Sequence, residues 1–162
     1  MASYLDTRIT ELQALSYFAN QVKGKGGRAS HRGVTIELAQ IEIRGERSFI
    51  AGINSGSTWT SGERALLRSW GVTVVEPGLR PKSATGRPPR PDEAGLTRKD
   101  GGALHAEENM AVYIQAMGGK GIRWSRAVVG KCYDTKSGSR SYVCERCRSM
   151  IDLVGGAIEP PF

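Results

Sequence analysis

The most restrictive feature of this 162-residue chain is a helix–strand–helix pattern in its C-terminal part. A helix is predicted from about His105 to Met117, because apolar residues recur there at three- and four-residue steps and two glycines follow. A buried strand is predicted at Ala127 to Val129, within the stretch from Trp124 to Tyr133, and a second helix from Cys144 to Leu153. Because a strand separates the two helices, their N-termini are expected on the same side of a sheet.

Both helix starts carry residues that bind metal ions. His105, Ala106 and Glu107 open the first helix, and Cys144 and Cys147 open the second in a C-x-x-C motif. One imidazole and two thiols that converge are suited to Zn²⁺, and the positive end of a helix dipole favours the thiolate form. Three protein ligands leave one tetrahedral position for water, and a nearby carboxylate can take its proton and later deliver it.

This pair of motifs resembles the signature of the zinc-dependent cytidine deaminase-like superfamily, H-x-E with P-C-x-x-C. The resemblance implies an α/β fold with three layers, α/β/α, and a mixed sheet. It also implies that His105, Cys144 and Cys147 bind zinc and that Glu107 moves the proton. The chain departs from the family at Val143, where a proline is usual, and it is expected to lack the last strand and helix of many relatives, which leaves a sheet edge open.

The resemblance also implies that a helix and two antiparallel strands precede the H-x-E helix, and the rest of the chain is predicted to form them, together with a short helix behind a capping box. The predicted elements are a helix from Leu5 to Val22, a strand from Val34 to Ile43 with a bulge near Ala39 and Gln40, a strand from Phe49 to Ile53, a short helix behind a Thr60–Glu63 capping box, a β-branched run from Val72 to Val75, and a short strand at Ala157 and Ile158.

Composition and charge limit the class of protein to which this chain can belong. Residues 1–162 are expected to form a single domain with a Pro/Gly-rich basic loop insertion at 78–102. Three cysteines favour a reducing compartment or metal ligation over a disulfide framework. No apolar run approaches the ~20 residues needed to cross a bilayer, and no secretion signal is evident, so a cytoplasmic location is expected.

The substrate is expected to be a nucleobase, with cytosine converted to uracil. The 23 basic residues exceed the 16 acidic ones, and the formal charge of +7 favours single-stranded DNA or RNA as the partner. Lys136 and Arg140 are candidate nucleic-acid contacts. The candidate substrate-binding residues implied by the resemblance are Asn54, Trp59, Ala106, Tyr142 and Val143.

Several alternatives stay open at this stage. Cys132 could complete a closed Cys₃His zinc site with no free position, which would make the chain a non-catalytic zinc-stabilised nucleic-acid-binding module. Free cytidine or another small amino-heterocycle could replace the polymer as substrate. The chain is also similar to deaminase domains of bacterial polymorphic toxins, which would place it in the cytoplasm of a target cell and give it an immunity-type partner. Glu108 is interpreted as a first-turn acid favourable to the helix dipole.

Overall fold

The computed structural model describes residues 4–21, 34–54, 57–76, 105–129 and 145–158, and within these ranges four helices pack on a five-stranded mixed sheet. The predicted α/β class is therefore confirmed. The helices are α1 (Tyr4–Gln21), α2 (Ser61–Ser69), α3 (Ala106–Ala116) and α4 (Glu145–Val154), and the strands are β1 (Val34–Ile43), β2 (Glu46–Ile53), β3 (Thr73–Val74), β4 (Lys120–Val129) and β5 (Ala157–Ile158).

The strand order is β3-β2-β1-β4-β5, with β1 in the centre. Strand β1 pairs antiparallel with both β2 and β4, which confirms the predicted hairpin, whereas β3 and β5 pair parallel with β2 and β4. The register of β1 against β4 shifts between Gln40 and Ile41, as the break in apolar alternation predicted. Both edge strands contain only two residues.

Each face of the sheet is covered by two helices, as in a three-layer arrangement. Successive residues of β1 point to opposite faces, so Leu38 packs with α1 and α2 while Ala39 packs with α3 and α4. On the first face, Ile9 and Leu12 of α1 join the strand residues in one fully buried cluster. This alternation also directs Glu37, one residue before Leu38, to the face that α3 covers.

Helix α2 begins at the predicted capping box. The backbone N–H of Glu63 donates to Thr60 Oγ1 at 3.2 Å, and the backbone N–H of Thr60 donates to Glu63 Oε1 at 2.8 Å. Ser16 Oγ of α1 donates to the other carboxylate oxygen of Glu63, which is fully buried. The capping glutamate therefore also joins α1 to α2.

Strand β4 begins earlier than predicted, at Lys120 in place of Trp124. Helix α3 ends at Ala116, and Gly118, with a positive φ of 66°, then turns the chain directly onto the sheet. Lys120 is then paired with Glu42 of β1, and its Nζ lies 3.0 Å from Glu42 Oε2. The loop at 78–102 and Cys132 lie outside the described residues. None of the helices in the described ranges is long and apolar enough to cross a membrane.

Candidate functional site

The start of α3 is held close to the sheet by small residues and a side-chain hydrogen bond. A Cβ built on Gly52 of β2 would lie 2.3 Å from Met110 Cγ and 3.1 Å from the carbonyl oxygen of Ala106. Asn109 Nδ2 donates to the carbonyl oxygen of Ile53 at 2.9 Å. The helix can approach β2 this closely because position 52 has no side chain.

His105 is the N-cap of α3, and its imidazole meets a cysteine from α4. Its Nδ1 lies 3.0 Å from the Sγ of Cys147, the third residue of α4. The side chain of His105 is 43% exposed, whereas Cys147 is fully buried. The predicted convergence of the two helix starts is therefore present for this pair, and solvent reaches it from the histidine side. Cys144 lies outside the described residues.

A third potential ligand comes from Glu108. The ligand atoms of His105, Glu108 and Cys147 all lie within 4.8 Å of one another, with Glu108 Oε1 3.9 Å from His105 Nδ1. The same oxygen accepts a hydrogen bond from the backbone N–H of His105 at 3.3 Å, so Glu108 also caps α3. The place of Glu108 in the first turn was predicted from the sequence, but its proximity to His105 and Cys147 was not.

The donor set suits zinc better than a hard cation. Nitrogen and sulfur ligands favour Zn²⁺, whereas Mg²⁺ and Ca²⁺ prefer oxygen. Two ligands of one tetrahedral zinc ion lie about 3.5 Å apart by the usual Zn–N and Zn–S lengths, so the 3.0 Å contact between His105 and Cys147 needs only a small side-chain adjustment. The residues present therefore fit a zinc ion, with Cys144 positioned in sequence to be a further ligand.

Glu107 lies next to this group along the helix, but its carboxylate is directed at a different cluster. Its Oε1 lies 3.2 Å from Arg126 Nε of β4, and Glu107 is fully buried while Arg126 is 7% exposed. The close group of metal-ligand atoms in the described residues does not include Glu107. The predicted proton carrier is thus buried beside an arginine of β4, a contact that was not predicted from the sequence.

A second carboxyl group completes the cluster beneath Glu107. Glu37 of β1 is directly paired with Gly52 of β2 on one side and with Arg126 of β4 on the other. Its pKa is raised well above the usual 4.5, first by burial and then by the charge of Glu107 and a hydrogen bond with it, while Arg126 acts in the opposite direction. Glu37 is therefore a protonated carboxyl group over a pH range in which exposed glutamates are ionised.

The other candidate residues divide between the sheet, the core and the undescribed segments. Asn54 follows β2, and its Oδ1 accepts a hydrogen bond from the backbone N–H of Thr35 at 2.8 Å. Trp59 is 4% exposed, packs with the α1 and α2 core, and donates from Nε1 to the carbonyl oxygen of Val75 at 3.2 Å. Ala106 is fully buried. The remaining candidates, Lys136, Arg140, Tyr142 and Val143, lie outside the described residues.

Glu37 and Arg126 were missed because a charged residue within a strand gives no direct signal of burial. A usable signal was present in their spacing. Arg126 is two residues from the apolar Trp124, and Glu37 is two residues from the apolar Ala39, so alternation places each charge on a covered face. Acid and base on one buried face are expected to pair.

No protein-family model, curated protein or solved structure matches this chain.

Proposed function

We propose that the chain is a zinc-dependent hydrolytic deaminase that acts on a nucleobase and converts cytosine to uracil in single-stranded nucleic acid. The observation that carries this proposal is the 3.0 Å approach of His105 Nδ1 to Cys147 Sγ at two helix starts separated by one strand. This is the arrangement that the resemblance to the cytidine deaminase-like superfamily requires. The proposal includes the finer fold assignment, a deaminase-like α/β/α domain.

Each residue of the two motifs has a defined part in the proposed reaction. His105, Cys144 and Cys147 would hold the ion, which supplies Lewis acidity and lowers the pKa of a bound water. Glu107 accepts a proton from the attacking water and returns protons to the ring and to the departing amino group. Water oxygen adds to C4 of cytosine, the C4–N4 bond breaks and ammonia leaves, so no external oxidant or reductant is needed.

The preference for a nucleic acid rests on charge. The chain carries a formal charge of +7, which favours a polyanion over a neutral nucleoside. A single strand is the simplest substrate, because a base in a duplex must first be extruded at a cost of a few kcal/mol. Lys136 and Arg140 are proposed phosphate contacts, and Asn54 is proposed to contact the base or sugar. A toxin-type effector with an immunity-type partner is the corresponding biological setting.

Substitution of Glu107 tests the reaction. Purified protein with measured zinc content is incubated with single-stranded DNA, single-stranded RNA or free cytidine, and uracil is measured by mass spectrometry. The wild type is expected to convert a polymer substrate, and Glu107→Gln is expected to lower the rate by about 100-fold or more while zinc remains bound. The proposal would be refuted if zinc-loaded wild type formed no uracil from any of the three substrates. Turnover of cytidine alone would identify a free nucleoside, and not a nucleic acid, as the substrate.

The matched control for this experiment is Glu63→Gln. Glu63 is also a fully buried helix-start glutamate, but it lies at α2, which covers the opposite face of the sheet from α3. Its replacement removes one buried carboxyl group without changing the motif residues. The control variant is therefore expected to keep wild-type turnover and zinc content, which separates loss of chemistry from loss of stability.

One observation favours a second candidate from another class, a zinc-stabilised nucleic-acid-binding module without turnover. Glu108, and not Glu107, contributes the carboxylate of the close group with His105 and Cys147. With Cys144 as a fourth ligand such a site would be closed, and a closed zinc site is structural. In that case Glu107→Gln leaves nucleic-acid binding unchanged and no uracil is formed by either protein, whereas Glu108→Gln releases zinc.

A further inference from the structure

We propose that Glu37 is a positioning residue for Glu107, holding its carboxylate from beneath while Arg126 holds it from the side. This inference rests on the proposed deaminase function, because positioning has a purpose only if Glu107 moves protons. It concerns a residue of the central strand that belongs to neither sequence motif.

Glu37 is the middle member of a row across three strands. Its direct neighbours are Gly52 in β2 and Arg126 in β4. The row lies beneath the first turn of α3, where a Cβ on Gly52 would clash with Met110 and the carbonyl oxygen of Ala106. Because Gly52 has no side chain, α3 lies close to the sheet and Glu107 is brought down to Glu37 and Arg126. The sheet thus forms the surface against which Glu107, the proposed proton carrier, packs.

The hydrogen-bond requirement of the two acids indicates how they interact. Glu37 and Glu107 are both fully buried, and apart from their contact with each other none of their four carboxylate oxygens has a hydrogen-bond partner among the described residues. Two ionised carboxylates offer each other no donor, and burying both next to one guanidinium leaves an excess negative charge. A proton on Glu37 removes that excess and supplies the missing donor, in agreement with the raised pKa of Glu37 and its hydrogen bond with Glu107.

The consequence for the site is a defined orientation of Glu107. With Glu37 as a donor and the guanidinium of Arg126 as a second neighbour, the buried carboxylate of Glu107 has less freedom to reorient. A carboxylate that moves protons gains from being fixed in this way, because reorientation is not required at each step. Glu37 need not touch the substrate to have this effect.

Two substitutions at position 37 separate positioning from simple packing. Glu37→Gln keeps an N–H donor in nearly the same place, so it is expected to retain kcat within about threefold, whereas Glu37→Leu fills the space without a donor and is expected to lower kcat by about 10- to 100-fold. KM and zinc content are expected to stay unchanged in both. Glu63→Gln, the buried glutamate at α2, serves again as the matched control with wild-type kcat.

A second measurement is independent of activity. Isotope-edited infrared spectroscopy of the zinc-loaded protein is expected to show the band of a protonated carboxyl group that disappears in Glu37→Gln and shifts in Glu107→Gln, but not in Glu63→Gln. The inference would be overturned by wild-type kcat in a folded Glu37→Leu variant, or by a carboxyl band that has the same frequency in Glu107→Gln as in wild type. If the wild type is inactive, the proposed function fails, but the infrared spectra still show whether Glu37 is hydrogen-bonded to Glu107. The infrared test does not use Glu37→Leu, so it also holds if that variant does not fold.

Discussion

At the scale of single residues, the site contains three fully buried glutamates that have different roles because their surroundings differ. Glu37, Glu107 and Glu108 are all 0% exposed, yet one lies on a strand, one is paired with an arginine and one caps a helix. Their neighbours in space, rather than their residue type, determine which of them can bind a metal or move a proton. Two predictions follow from these differences, one for Glu108 and one for Glu37.

Glu108 is expected to act as a cap and not as an essential metal ligand. Glu108→Gln keeps an oxygen that can accept the backbone N–H of His105, so the free energy of unfolding should change by less than about 0.5 kcal/mol, whereas Glu108→Ala should cost about 1 kcal/mol. Zinc content should stay at the wild-type level in both variants. Denaturant unfolding and elemental analysis provide the measurements, and loss of zinc from a folded Glu108→Gln variant would instead identify Glu108 as a ligand.

The raised pKa of Glu37 predicts a pH-dependent stability difference. Glu37 keeps its proton to higher pH in the folded state than in the unfolded state, where its pKa is near the usual 4.5. Between the unfolded-state and folded-state pKa values the folded state therefore binds more protons, and the free energy of unfolding falls as pH rises. Glu37→Gln has no proton to lose, while Glu107 and Arg126, which face position 37, remain in both proteins. The variant should therefore gain stability relative to wild type with rising pH, by up to about 1.4 kcal/mol per pH unit.

Denaturant unfolding from about pH 5 to about pH 9, at constant zinc, measures this difference. Glu63→Gln again provides the comparison, since it removes a buried carboxyl group on the other face of the sheet. A stability difference between wild type and Glu37→Gln that does not change with pH, or that favours wild type increasingly at high pH, would contradict the assignment of a proton to Glu37.

At the scale of elements, the close approach of α3 to β2 positions the buried acids, and it depends on Gly52. Gly52→Ala places a Cβ against Met110 and the backbone of Ala106, so α3 must shift, at an expected cost of about 1–3 kcal/mol in stability. The matched control is Gly62→Ala in α2, where a Cβ meets nothing within 4 Å, and a gain of up to about 1 kcal/mol is expected. Denaturant unfolding measures both changes, and equal effects would show that the contact at Gly52 is unimportant.

Elements with strong local signals were predictable, whereas contacts between distant elements were not. Thr60 and Glu63 cap α2 as expected, and the alternation break placed the register shift of β1 at Gln40. The approach of His105 to Cys147 was also expected, because a metal motif states which residues must meet. By contrast, the contact of Glu107 with Arg126 depends on the packing of α3 against β4, which no local pattern specifies.

At the scale of the whole molecule, the candidate metal site brings together residues of elements that are separated along the sequence. His105 precedes α3, which packs on β2 and β1, while Cys147 belongs to α4, which leads through two glycines with positive φ to the edge strand β5. Trp124 Nε1 donates to the carbonyl oxygen of Gly155 at 3.1 Å, which holds this turn against β4. An ion bound by His105 and Cys147 would therefore stabilise the C-terminal elements against the central sheet.

Removal of the ion is accordingly expected to lower the melting temperature of the whole domain. At free zinc about 100-fold above Kd the folded state gains about 2.7 kcal/mol, which for a domain of this size corresponds to about 5–10 °C. Calorimetry with and without a chelator should show this shift in wild type and not in Cys147→Ser. Cys132→Ser should keep the full shift if the site is open, whereas its loss in that variant would show that Cys132 closes the zinc site and would remove the position that hydrolysis requires.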